Sequence, residues 1–171
     1  GKCAMDCKEV LKQMDAGKMT AASMIATAEA QAKGKAVGLM VDLEKDKMDA
    51  DVFVLVGDKV QAVAIGADGK AGKMDEVKSM TGMAAVIQAM DAAKVTMGAV
   101  IGAAEEKSKG KTLAVTATAT GGKASFEVYC LAGDKIQNVT VDNAGKATGM
   151  AEAKMLPAGA NEEKPKPKPG G

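Results

Sequence analysis

The sequence predicts an α+β chain made of two tandem repeats, each a helix–helix pair packed on a three- to four-stranded antiparallel β-meander. Two observations predict it. The stretch GDKVQAVAIGADGKAGKM, Gly57 to Met74, is written again as GDKIQNVTVDNAGKATGM, Gly133 to Met150, with Asp58 meeting Asp134 and Lys70 meeting Lys146 at one constant offset (134 − 58 = 76). Within each copy the spacing of apolar residues then changes from a helical to a strand period.

The offset extends through most of the chain. Val10, Leu11, Met14 and Asp15 meet Val86, Ile87, Met90 and Asp91, and Glu29, Gly34 and Lys35 meet Glu105, Gly110 and Lys111. This places the first repeat at residues 1–78, the second at 79–156 and a tail at 157–171. A single half of this size has a thin core, because small domains bury a smaller fraction of their surface. The halves are therefore expected to lean on each other.

The first helix is read from Cys3, Cys7, Val10, Leu11 and Met14, one face at helical spacing, answered by Met83, Val86, Ile87 and Met90. A second helix follows Thr20, an N-cap residue, and runs to about Lys33 with Met24, Ile25 and Ala28 inward. Gly34 and Gly110 stand just past the helix ends. The period then becomes two: Val37, Leu39, Val41 and Leu43 alternate with polar or small neighbours, as do Leu113, Val115, Ala117 and Ala119. A second strand covers Val52–Val56 and its copy Val128–Ala132. GDK turns the chain into a third, Val60–Ile65 and Ile136–Val141, closed by Asp68-Gly69 and Ala144-Gly145. From Pro157 the tail PAGANEEKPKPKPGG reads as extended polyproline II.

Composition narrows the function. The 171 residues are 47% apolar but 2% aromatic, without Trp or His, and all 23 basic residues are Lys, for a net charge of +1. That is no electrostatic footprint for nucleic acid, and the groups that read or stack bases are scarce. No apolar run approaches the roughly 20 residues of a membrane-spanning helix. Gly1 in place of an initiator Met suggests a processed or trimmed start and permits a lost signal peptide.

Catalysis needs an activated nucleophile, a general base or a cofactor. Histidine is missing, and GKT at Gly110 lacks the upstream glycine of a phosphate loop, so the expectation is no enzyme and no cofactor. Cys3, Met5 and Cys7 are the candidates for a soft-metal site, since thiolate and thioether select Cu(I). Against it, Cys7 aligns with Met83 on the inward helix face, and Met5 points away from the Cys3/Cys7 side. Three cysteines leave one over; Cys3 and Cys7, one turn apart, do not close easily in a helix, so a bridge from the first helix to Cys130, within one chain or between neighbours, is the sharper expectation and three free thiols the alternative. The acidic run Asp42, Glu44, Asp46, Asp49 and Asp51 invites Ca²⁺, but its counterparts are Thr116, Thr118, Thr120, Ser125 and Glu127, and a solvated strand face explains it better.

The second strand is apolar on both faces, with Val52, Val54 and Val56 on one and Phe53 and Leu55 on the other, repeated as Val128 and Cys130 against Tyr129 and Leu131. Helices cover only one face. Phe53, Leu55, Tyr129 and Leu131, with Pro165, Pro167 and Pro169 of the tail, are therefore the candidate interface residues, because a sizeable uncovered apolar surface marks a contact site.

The run FEVYCLAGDKIQNVTVDNAGKATG, preceded by a helix, Gly-Lys and an alternating strand, resembles the PepSY domain, whose sheet ends in a similar "YEVxVxxGxxxxVxVDxxTGKV" pattern. Residues Thr96 to Met150 carry the match and Thr20 to Met74 follow by the repeat. The tandem arrangement is also similar in architecture to the beta-lactamase inhibitory protein fold. The PepSY resemblance implies an extracellular or periplasmic, non-catalytic module of the kind found in protease propeptides and envelope proteins. The reading is a secreted or cell-envelope structural module whose partner is itself, as homo-oligomer or fibre, or another envelope protein. The alternative is a binding protein, either a peptidase inhibitor or a Cu(I) carrier.

Overall fold

The structure, a computed structural model, describes residues 3–157; the candidate interface residues Pro165, Pro167 and Pro169 lie outside them. Two helices, α1 (Ala4–Ala16) and α2 (Ala21–Ala32), precede four strands, β1 (Lys35–Glu44), β2 (Lys47–Val56), β3 (Lys59–Gly66) and β4 (Ala71–Glu76). The same order returns as α3 (Met83–Ala93), α4 (Met97–Ser108), β5 (Lys111–Thr120), β6 (Lys123–Ala132), β7 (Lys135–Val141) and β8 (Ala147–Ala153). The chain is an α+β tandem repeat, with four strands in each meander.

The two meanders fuse into one eight-stranded sheet in the order β4-β3-β2-β1-β5-β6-β7-β8. Its joint is the antiparallel pair β1–β5, where Leu39 faces Val115 and Met40 faces Ala114. Leu39 and Val115 are repeat counterparts, so a pseudo-two-fold axis perpendicular to the sheet passes through that pair. The residues explain the joint: Ala36 to Val41 and Thr112 to Val115 are buried on both faces of their strands, which belongs in the middle of a sheet. One apolar core runs through both repeats beneath the four helices.

Each central strand begins with a bulge at the same repeat position, between Ala36 and Gly38 and between Thr112 and Ala114. A bulge takes a backbone N–H out of the ladder. In the first repeat Glu29 of α2 accepts the Ala36 N–H at 2.9 Å, and in the second Glu105 of α4 accepts that of Thr112 at 2.9 Å. The helices start on threonine caps: Thr20 Oγ1 accepts from Ser23 N at 3.1 Å while Thr20 N donates to Ser23 Oγ at 2.9 Å, and Thr96 Oγ1 accepts from Ala99 N. They end on lysines in the left-handed region, Lys33 at φ 58° and Lys109 at φ 60°. Gly34 and Gly110 serve a different need: a Cβ there would lie 2.2 Å from the Leu55 carbonyl oxygen and 2.5 Å from that of Leu131.

Helix α1 ties the repeats together. Cys3 bridges to Met155 beyond β8, and the Lys8 ammonium sits on the Asp134 carboxylate at the β6–β7 turn. At the other end Gln13 Nε2 donates to the Asp46 carbonyl at 2.8 Å, in the β1–β2 turn of its own repeat.

Candidate functional site

Strand pairing sorts the side chains into two faces. Ala50, Val52 and Val54 share one with Ile65 and Val63, under the helices, while Phe53 lines up with Gly38 and Ala62 on the other, and Leu55 with Val60. In the second repeat Tyr129 lines up with Ala114 and Asn138, and Leu131 with Ile136, on that same open face.

The open face is less apolar to solvent than the sequence implies. Phe53 is 4% and Leu131 5% exposed within the single chain, so these two candidate interface residues are core; Leu55 and Tyr129 remain half-buried. The physical reason is local. Gly38 has no Cβ to fend off the ring across from it, and the Phe53 Cδ2 atom comes within 3.3 Å of where that Cβ would stand. At the counterpart position Ala114 carries the methyl, and Tyr129 stays half out. The connector after β4 continues the ladder, with Val77 N donating to the Val60 carbonyl at 2.8 Å and the Val77 side chain buried. Its counterpart on the other side ends in Leu156, 3% exposed.

Within the chain the three cysteines are free thiols, so no bridge joins the first helix to Cys130 of the same chain. Cys130 lies under α4, its Sγ 3.5 Å from Thr112 Oγ1, and burial pushes its thiol up, against the hydrogen bonds from Ser108 and Thr112. Cys7 is wholly buried, and burial, then Cys3 and Asp6, pushes it up to about 12. Cys3 is exposed and Met5 is 79% exposed, so α1 turns the candidate Cu(I) ligands Met5 and Cys7 to opposite sides.

The acidic run concentrates on the open face of the first repeat. Asp42 and Asp49 are direct cross-strand partners, and Asp51 follows between Met40 and Ala64. Burial, then Asp49, Asp42 and Asp75, pushes Asp51 up to about 6; burial and then Glu44 raise Asp49. Among the described residues no three His, Cys, Asp or Glu converge to hold a metal ion.

Two clefts mark the seams between repeats and share one design. In the first, of about 220 Å³, Ile25 and Glu29 of α2 face Ile87 and Met90 of α3, with the Lys35–Asp91 ion pair (2.8 Å) at the mouth. In the second, of about 70 Å³, Glu105 and Lys111 face Leu11, Met14 and Asp15, their repeat counterparts. The difference in size follows from Met19, 6% exposed, which stands where the first cleft has the shorter Val95. Both are smaller than the roughly 300 Å³ from which ligand pockets begin.

The two outer strands of the sheet are a further surface with unused bonding capacity. Among the described residues β4 and β8 each pair on one side only, with β3 and β7. They are repeat counterparts, and each carries an exposed methionine at the same position, Met74 at 42% and Met150 at 45%. Sequence reasoning passed over both strands because AGKMDE and ATGMAEA lack apolar alternation; the repeat itself was the signal, since each copy continues past its third strand.

No family model matches the chain, and no curated protein matches it. A solved structure that is similar is a Clostridium difficile protein described as a candidate lipoprotein, at 13% identity and a TM-score of 0.44, covering 75% of this chain and 90% of that one.

Proposed function

We propose that the chain is a non-enzymatic structural module, secreted or held in the cell envelope, that works by packing against copies of itself. One observation carries the self-packing: the repeated unit is already joined to its own copy, edge to edge and counterpart to counterpart, at the β1–β5 pair about Leu39 and Val115. A unit whose edge fits its own copy inside one chain presents two further edges, β4 and β8, outward. The location rests on the PepSY-like strand pattern of Phe126 to Gly149.

Size-exclusion chromatography with light scattering over a concentration series tests the reading. A mass that climbs from one chain toward a multiple supports it; a single-chain mass held at millimolar protein overturns it.

A further inference from the structure

The two outer strands are counterparts in the repeat, yet they are unequal as edges. β4 carries Lys73, Asp75 and Glu76 among its six residues. It also contains an irregularity: Val63 pairs with Met74 and Ile65 with Ala71, so two residues of β4 stand opposite one of β3. Charges and bulges are the devices that keep an edge from pairing. β8 has one charge, Glu152, in seven residues, and beyond its own irregularity at Thr148 it pairs regularly with β7 from Gly149 to Ala153. Met150 and Ala151 are exposed. A small-residue strand with a single charge whose outer row of N–H and C=O groups meets no strand among the described residues is a template for another strand.

We infer that the free edge of β8, Gly149 to Ala153, is a docking surface for β8 of a second copy, paired antiparallel about a two-fold axis perpendicular to the sheet. This rests on the self-packing reading and names its surface. The occupant is a second copy because the same operation already joins the repeats at Leu39 and Val115. An axis of that kind at β8 keeps all helices on one side of a doubled sheet. With Ala151 opposite Ala151, Gly149 meets Ala153 and Met150 meets Glu152, so no like charges are opposed. The contact is isologous and closes on itself, leaving the charged β4 at both outer ends, so growth stops at the dimer.

The test compares repeat counterparts in the full chain with the exposed thiol removed by Cys3→Ser. Ala151→Cys places a thiol at the proposed axis, and Asp75→Cys places one at the same position of β4. Mild oxidation is expected to give a covalent dimer with Ala151→Cys and none with Asp75→Cys. Ala151→Lys is expected to shift the light-scattering mass from dimer to monomer, with thermal unfolding showing that the variant still folds. Equal cross-linking of the two cysteine variants, or a dimer that survives Ala151→Lys, overturns the β8 assignment and leaves the self-packing reading standing. A parent chain that stays monomeric at millimolar concentration overturns both.

Discussion

Gly38 and its counterpart Ala114 face Phe53 and Tyr129 at the same ladder position, and one methyl group sets the exposure of both rings. A Cβ at residue 38 would stand 3.0 Å from the Val115 carbonyl oxygen and 3.3 Å from Phe53 Cδ2. Val115 O belongs to the central joint and has little room to give, so the ring must move. Gly38→Ala is expected to cost about 1–3 kcal/mol, the usual range for overpacking, read as a lower urea midpoint; an unchanged midpoint would refute the notch. Asp51 poses the opposite case, a residue the fold tolerates at a cost. Its pKa lies near 6, raised by burial and by Asp49, Asp42 and Asp75, against an ordinary value of 3.8. The folded state therefore takes up the proton first, so this group destabilises the fold above about pH 6 and the cost disappears as pH falls toward 4. Asp51→Asn is expected to stabilise by on the order of 1 kcal/mol at pH 7, after discounting for solvent screening, and by nothing near pH 4. Thermal unfolding at the two pH values decides: equal gains at both would assign the effect to packing rather than charge.

At the scale of elements, legibility tracked the strength of the apolar pattern. The helices and the six inner strands were readable because Val10, Met14, Met24 and Ile25 repeat at helical spacing and Val37, Leu39 and Val41 at every second position. β4 and β8 were not, since an edge strand exposed along its length, as Lys73 to Glu76 is, needs no apolar face. β2 begins at Lys47, five residues before its apolar run, because Asp49 and Asp51 alternate with buried Met48 and Ala50 and hide the strand under charge. Gly34 and Gly110 were legible as positions but not as causes: the left-handed turn falls to Lys33 and Lys109, and the glycines answer to carbonyl oxygens of β2 and β6 that no local reading could bring near. The same holds for Glu29 and Glu105. Their identity across the repeat was visible, while their task, accepting an N–H freed by a bulge seven residues on, depends on the helix folding back over its own strand. Of the candidate site, the two-faced strand was readable and its covering was not, because the burial of Phe53 turns on a missing methyl in a neighbouring strand.

For the whole molecule, the consequence of fusing the meanders is that β1 and β5 become inner strands of one sheet instead of edges of two. Val37, Leu39 and Val41 on one side of β1 and Met40 on the other are all at most 9% exposed, and the partner strand β5 is part of what covers them. Helix α1 also reaches across the joint, with Lys8 on the exposed Asp134 of the other repeat while Gln13 holds the turn of its own. The connector between the repeats, by contrast, passes through exposed Thr81 and Gly82. A break there cuts the chain where little is packed and leaves the β1–β5 joint intact. Residues 1–80 and 81–171 produced together are therefore expected to form a stable one-to-one complex that unfolds in a single transition. Produced alone, each piece exposes a strand that is apolar on both faces, and it is expected to aggregate or to pair with itself about the axis that β1 and β5 now share. Light scattering and circular dichroism on the separate pieces discriminate. Two folded, monomeric fragments would show that each repeat is self-sufficient and that the central joint is a contact of convenience. Loss of structure in each, restored on mixing, would show that the duplication made one fold out of two units that need each other's edge.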